Sequence, residues 1–395
     1  MLKRLSLIWE DRSNILVGFP QVDEMAGDRV NLGKIVLFGS GETSASGRAI
    51  HDRLMSELAP PVVVAILETP AGFQPNSRHV AEEVGEFVTT RLQNYEPDVL
   101  IIPARKKGTL LSPDDPLLLE PMRDANYIFL GPGSPTYAAR NLEGTLALEY
   151  LLERHKAGAV LCFASAATLA VGAKVLPVYE VFKSGSDLYW ADGLNVFASF
   201  GLDLAIVPHW NNTDGGVHLD TSRCFMGQER MEQLRQLLPA STVVLGIDEH
   251  TALVFDLQQG LGLVMGKGSV TIGFDGKEKS YSTGDSFSLS ELGPYHLPPD
   301  AIRSRLPARP AAKKPPSAPA KLPPNVAELV NLREDARRAQ DWAEADALRR
   351  QIADMGFELQ DTRQGPRCRH KGEKALVRAG PTDGPGGRSR RTSPR

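Results

Sequence analysis

Cysteine is scarce in this chain: Cys162, Cys224 and Cys368 are the only three among 395 residues. An odd number at such wide spacing forms neither a disulfide framework nor a metal-ligand cluster, so a reducing, cytoplasmic setting is expected. Long apolar runs are missing too. No stretch approaches the roughly 20 residues that span a bilayer, and the N-terminal MLKRLSLIWEDRSN returns to charge before an apolar signal core develops. Neither secretion nor a membrane partner is expected. A strong excess of one charge is also lacking. The 45 Lys+Arg stand against 48 Asp+Glu, a balance that sets up no global field toward nucleic acid or lipid. There is no internal repeat. What is present is 42% hydrophobic residues, ample for a sizeable core at this length.

From residue 34 to about 290, short apolar runs alternate with longer amphipathic stretches. KIVLF, VVVAIL, VLIIP, YIFLG, AVLCF and LAIVP read as strands, and their unbroken hydrophobicity predicts burial on both faces of one mostly parallel sheet flanked by helices. TVVLGID, TALVFDL, LGLVMG and SVTIGF follow at short intervals, which predicts antiparallel strands closing an α/β domain. Near residue 296 prolines take over and the sequence becomes a linker. Beyond it, Val326, Leu329, Val330, Leu332 and Ala336 fall at helical spacing. Asp341 and Glu344 form a capping box ahead of Leu348, Ile352 and Met355, and Gly356 supplies a stop. The expected organisation is an extension over 1–33, an α/β domain over 34–292, a Pro/Ala/Lys-rich linker over 293–324, a small helical hairpin module over 325–371 and a disordered basic tail over 372–395.

The chemistry-bearing element is Ser165. It follows AVLCF and precedes AATLAVGAKVL, a strand, turn, nucleophile, helix order that lifts a hydroxyl out of a sheet and aims helix N–H groups at a developing oxyanion. A plain helix cap is the competing reading of the same serine. Cys162 is a rival nucleophile, but its place inside the strand predicts a buried, inert thiol. A serine needs a base, and His209, at the end of LAIVP, stands where α/β sites assemble; His218 and His250 are alternatives. The acid that would orient the imidazole is expected among Asp187, Asp192 and Asp203, all between the serine and the histidine. The loop GPGSPT, with Gly131 and Gly133, permits the close backbone approach that a second oxyanion donor requires.

Together, FGSGETS, LGPGSPTYAARNL, FASAAT, GLDLAIVPHWNN and GIDEHTALV, in that order, resemble the peptidase E and cyanophycinase family of serine peptidases, whose fold is related to class I glutamine amidotransferases. The resemblance covers residues 34 to about 275. It implies a small peptide or amide substrate, no cofactor, Ser165 as nucleophile, His209 as base, Asp187 in SGSDLYW as acid, and the N–H groups of Gly133 and Ala166 as oxyanion donors. The family pattern at the nucleophile is G-x-S-A-G. Phe163 and Ala167 replace its glycines here, a departure that bears on the tight turn. Peptidase E relatives cleave after an N-terminal aspartate and cyanophycinases after aspartyl units bearing arginine. Arg223 and Arg230, read as lying on the helix after His209, could bind such a carboxylate, although solvent is the favoured reading.

A second resemblance covers residues 325 to about 370. DWAEADALR and GFELQDTRQG are similar to the small C-terminal module of cysteinyl-tRNA synthetases, which helps recognise the tRNA anticodon. HIGH-like and KMSKS-like motifs and a zinc-ligand set are absent, so the resemblance implies no synthetase. It implies tRNA or other RNA as a partner for residues 325–395, through Arg349, Arg350, Arg363, Arg367 and Arg369 together with Arg337 and Arg338. The alternative is a solvated charge face mixed with Glu334, Asp335, Glu344 and Asp346. A catalytically silent scaffold presenting this module is the second function the sequence allows.

Overall fold

A computed structural model describes residues 32–298, 324–339, 341–362, 365–370 and 377–378. All but residues 32 and 33 of the expected N-terminal extension, residues 299–323 of the linker and all but residues 377 and 378 of the basic tail lie outside the described residues. The chain divides into two compact units between residues 307 and 308.

In the large unit the chain runs through β1 (Ile35–Phe38), α1 (Ala45–Met55), β2 (Val63–Leu67), α2 (Ser77–Arg91), β3 (Asp98–Ile102), α3 (Pro116–Leu119) and β4 (Tyr127–Leu130). It continues through α4 (Pro135–Leu142), α5 (Leu146–Lys156), β5 (Val160–Ala164), α6 (Ala166–Ala170), β6 (Lys174–Val175), β7 (Ala191–Asp192), β8 (Leu204–Val207), α7 (Gly227–Gln236) and β9 (Val243–Ile247). Five further strands close it: β10 (Thr251–Asp256), β11 (Leu261–Gly266), β12 (Ser269–Phe274), β13 (Lys277–Ser282) and β14 (Ser286–Ser288).

The expected α/β architecture is present, divided between two sheets. An eight-stranded sheet has the order β14-β11-β10-β1-β5-β4-β2-β3. Its strands β1, β5, β4, β2 and β3 pair in parallel, and β10, β11 and β14 add antiparallel at one edge. A six-stranded sheet has the order β13-β12-β9-β8-β6-β7. LAIVP and TVVLGID, expected in one sheet with the rest, form its parallel centre β8–β9. The run from TVVLGID onward is therefore antiparallel only after β9, whose partner β12 runs the other way.

Side-chain alternation explains the layering. Leu37, Leu161, Phe163 and Leu253 of one sheet share a core with Leu204, Ile206, Leu245 and Ile247 of the other. The outer face of the first sheet, with Val36, Cys162 and Val254, is covered by Ile50 and Leu54 of α1 and Val84 and Val88 of α2. That of the second, with Ala205, Val207 and Val244, is covered by Met231 and Leu234 of α7 together with Leu169 of α6. Burying each such Leu, Ile or Phe contributes about 1.5–3 kcal/mol, which fixes the strands that carry the site.

In the second unit, α8 (Pro324–Arg338) and α9 (Trp342–Asp354) precede an antiparallel hairpin of β15 (Phe357–Thr362) and β16 (Gly365–His370), to which the short β17 (Val377–Arg378) adds. The side chain of Asp341 accepts from the Glu344 N–H at 3.1 Å and caps α9, but the Asp341 N–H donates to the Ala336 carbonyl at 2.9 Å, so the expected capping box forms on one side only; Gly356 takes a φ of 86° where the helix stops. Val326, Val330, Ile352, Leu359 and Cys368 form the core.

Candidate active site

Loops that leave the carboxyl ends of β4 and β5 in one sheet and of β8 and β9 in the other converge here. Ser165 sits between β5 and α6 with φ 52° and ψ −111°. That conformation strains a residue with a Cβ by about 1–3 kcal/mol and persists only where surrounding packing dictates it. The packing is visible: Phe163 on one side and Ala166 and Ala167 on the other are each at most 2% exposed, and the hydroxyl of Thr168 donates to the carbonyls of Phe163 and Phe38. Phe163 points into the core between the sheets, away from the turn, so a large residue replaces the family glycine without blocking the elbow. Ala167 fits because only a methyl must be buried there.

Ser165 Oγ lies 3.1 Å from His209 Nε2. His209 follows β8, itself at a positive φ of 51°, and its N–H donates to the Gly39 carbonyl at 3.2 Å, tying it to the loop after β1. On the far side of the ring, Nδ1 lies 2.9 Å from Glu249 Oε1, which also accepts from Asn212 Nδ2 at 3.1 Å. The Glu249 backbone N–H donates to Asn211 Oδ1 at 2.8 Å, fixing the turn between β9 and β10. His218 and His250 are exposed.

The acid beside the imidazole is therefore not among those the sequence order selects. Asp187 is exposed in the segment between the turn at Tyr179–Lys183 and β7. Asp192 pairs with Lys174 at 2.7 Å, and Asp203 accepts from the hydroxyls of Ser241 and Thr242. Glu249 lies in GIDEHT, at the carboxyl end of the strand beside β8, and that position was its available signal. Glu42, in the loop after β1, is a second acid that no spacing in the sequence singles out. Burial raises its carboxyl pKa, partly opposed by its own backbone hydrogen bond and then by His209 and His250.

Gly133 and Ala166 line the same cavity as Ser165 and His209. Gly133 has a φ of 154°, and a Cβ there would stand 1.9 Å from the Pro70 carbonyl oxygen. Only glycine fits. Neither N–H has a hydrogen-bond partner among the described residues, so both are free to meet an anion.

Cys162 is fully buried, and its thiol donates to the Tyr127 hydroxyl at 2.9 Å. Burial pushes its pKa up to about 12, which leaves it a neutral thiol beneath the site. Arg230 is on α7, whereas Arg223 precedes that helix in the loop. Among the arginines proposed for RNA, Arg350 is exposed, and the Arg349 guanidinium reaches the Leu359 carbonyl at 3.3 Å. Arg363 lies outside the described residues, and only the backbones of Arg367 and Arg369 are described, within β16.

With this geometry in place, comparison with known proteins covers both units. Matching 66% of this chain and 98% of its own, the solved structure of a peptidase from an acI-B1 Actinobacterium shares the fold, with a TM-score of 0.53 at 21% identity. Residues 320–369 match the cysteinyl-tRNA ligase anticodon binding domain family. The cysteine–tRNA ligase of Chlamydia felis is 43% identical over 53 residues, 13% of this chain and 11% of the ligase. That of Chlamydia abortus is 46% identical over 48 residues, 12% and 10% respectively. The chain thus spans only about a tenth of the length of these relatives. Among the described residues no helix is long and apolar enough to cross a membrane.

Proposed function

We propose that the large unit is a serine hydrolase that cleaves a peptide or peptide-like amide bond through Ser165, His209 and Glu249. The observation that carries this reading is the unbroken relay from Ser165 Oγ to His209 Nε2 at 3.1 Å and from Nδ1 to Glu249 Oε1 at 2.9 Å, with the serine on a strained elbow. In this mechanism Oγ attacks the amide carbonyl as Nε2 takes its proton, and Glu249 holds the tautomer and stabilises the imidazolium. The N–H groups of Gly133 and Ala166 receive the oxyanion. His209 then returns the proton to the departing amine, and a water activated by the same ring releases the acyl group from Ser165. Intact-mass spectrometry after a fluorophosphonate probe tests it. Wild type labels once, while Ser165→Ala and His209→Ala do not; a folded wild type that never labels refutes the mechanism.

The match of residues 320–369 to an anticodon binding domain favours a second, compatible activity for the other unit, contact with tRNA or other RNA. Arg350, exposed on α9, is its best described phosphate ligand. Filter binding of tRNA against salt is the test: affinity should fall steeply with ionic strength and vanish on truncation after Pro323. Absence of binding at low salt removes this activity.

A further inference from the structure

Beside Ser165 a cavity of about 190 Å³ opens, and its walls are apolar: Leu169 on α6, Val178 and Phe182, and Cys224 with Phe225 opposite. The Phe182 and Phe225 rings stand 5.3 Å apart, and Phe225 stands 6.2 Å from the His209 ring. The pocket is thus continuous with the proposed base.

Its construction is deliberate in backbone terms. Arg223, Cys224 and Phe225 all take positive φ, at 57°, 57° and 68°. Three consecutive left-handed residues without a glycine require outside support. The Arg223 N–H donates to the Trp210 carbonyl and the Cys224 N–H to the His209 carbonyl. This twist presents Phe225 to the cavity and carries the Arg223 guanidinium onto the Trp210 ring, 4.0 Å from its centroid, with Nη1 donating to the Trp210 carbonyl. Arg230 is committed as well: Nε donates to the Met226 carbonyl at 2.7 Å and Nη2 to the Phe225 carbonyl at 3.0 Å. Both arginines that the sequence offers for a substrate carboxylate hold backbone carbonyls of the scaffold, and neither lines the cavity, although the Arg230 guanidinium stands 5.9 Å from the centroid of the Phe182 ring. Besides His209, its only ionisable cation among the described residues is Lys183, exposed and with its ammonium 5.1 Å over the Tyr179 ring. Burial pushes the Cys224 thiol up to about 12, as expected of a dry wall.

We infer that this cavity receives an uncharged aliphatic or aromatic side chain on the acyl side of the scissile bond, so the substrates are peptides with an apolar residue there. The inference rests on the proposed serine mechanism. A carboxylate entering the pocket would surrender much of its hydration to Leu169, Val178, Phe182 and Phe225, and the lining offers it only the exposed Lys183 and Tyr179 as side-chain donors besides Ser165 and His209. A leucine or phenylalanine side chain gains from the same walls.

The test compares labelling rates of the full-length protein with peptidyl diphenyl phosphonates carrying a Phe, Leu or Asp side chain next to phosphorus, alongside a fluorophosphonate that has no side chain. The Phe and Leu probes should label at least tenfold faster than the Asp probe. Phe182→Ala should narrow that ratio, the fluorophosphonate rate reporting separately on the state of Ser165. Fluorophosphonate labelling with equal rates for the three side chains overturns the pocket and leaves the nucleophile standing. So does an Asp preference that falls in Lys183→Met. Failure of every probe on folded protein overturns the serine mechanism, and the pocket's role with it.

Discussion

His209 and Glu249 meet across 2.9 Å although they are 40 residues apart, because each ends one of two neighbouring parallel strands, β8 and β9. The strand pairing, not the order of residues along the chain, determines which carboxylate faces the imidazole. Glu249→Gln should therefore lower kcat/KM for an amide substrate by roughly 10²–10⁴-fold, since the ring loses its tautomer partner. Asp187→Ala, in an exposed segment, should stay within about twofold. Steady-state kinetics of the two variants side by side decide between the acids.

The backbone at Ser165 makes a prediction about stability. Ser165→Gly and Ser165→Ala both remove the hydroxyl and abolish labelling, but only glycine relaxes φ 52° with ψ −111°. The glycine variant should be the more stable of the two by about 1 kcal/mol, after glycine's greater entropy in the unfolded chain offsets part of the relief. Urea titration of both variants measures the difference.

Gly133 is the position where a single methyl should do most harm. With a Cβ 1.9 Å from the Pro70 oxygen, Gly133→Ala must displace either its own loop or the turn at Thr69–Ala71. If Gly133 serves as the proposed oxyanion donor, its displacement should cost about 10²–10³-fold in kcat. The same variant should melt at a lower temperature than wild type, whereas Glu249→Gln should not.

Two buried histidines predict the acid limit of the fold. Burial lowers His51 and His155 from 6.5 to about 4. Between those values the unfolded chain carries protons that the native chain refuses, so stability is full near neutrality and falls as pH drops through that window. The loss is on the order of 3 kcal/mol per histidine if no other group compensates. Denaturant unfolding from pH 7 down to pH 4 should show the decline, with a shallower slope in His155→Leu.

Thiol chemistry gives a check on burial. With Cys162 and Cys224 both raised to about 12, neither forms thiolate at pH 8, and native protein should leave both unalkylated by iodoacetamide. Peptide mapping after denaturation should then find both modified.

The sequence made the elbow legible because it depends on local chemistry: an apolar strand, a serine and a run of alanines that allows close packing. His209 was legible for the same reason, as the polar residue that ends LAIVP. Glu249 was not, because apolar runs do not record which sheet they join. TVVLGID reads as a late antiparallel strand, and its parallel pairing with β8 is what delivers the carboxylate. The fate of Arg223 and Arg230 was equally hidden, since three consecutive positive φ values leave no mark in composition. In the small unit, capping residues and helical spacing made the two helices legible, as the Asp341–Glu344 contact illustrates, but not the sheet of β15, β16 and β17 that follows them.

Ser165 and Gly133 follow strands of the eight-stranded sheet, whereas His209 and Glu249 follow strands of the six-stranded one. The proposed nucleophile and base thus face each other across a seam whose width is set by Phe163, Leu161, Ile206 and Leu245 in the layer between. Trimming or enlarging any of these side chains moves proton donor and acceptor relative to each other without touching either. Probe reactivity in this protein should accordingly act as a gauge of how closely its two halves are stacked, registering a slip of a few tenths of an ångström well before the fold itself gives way.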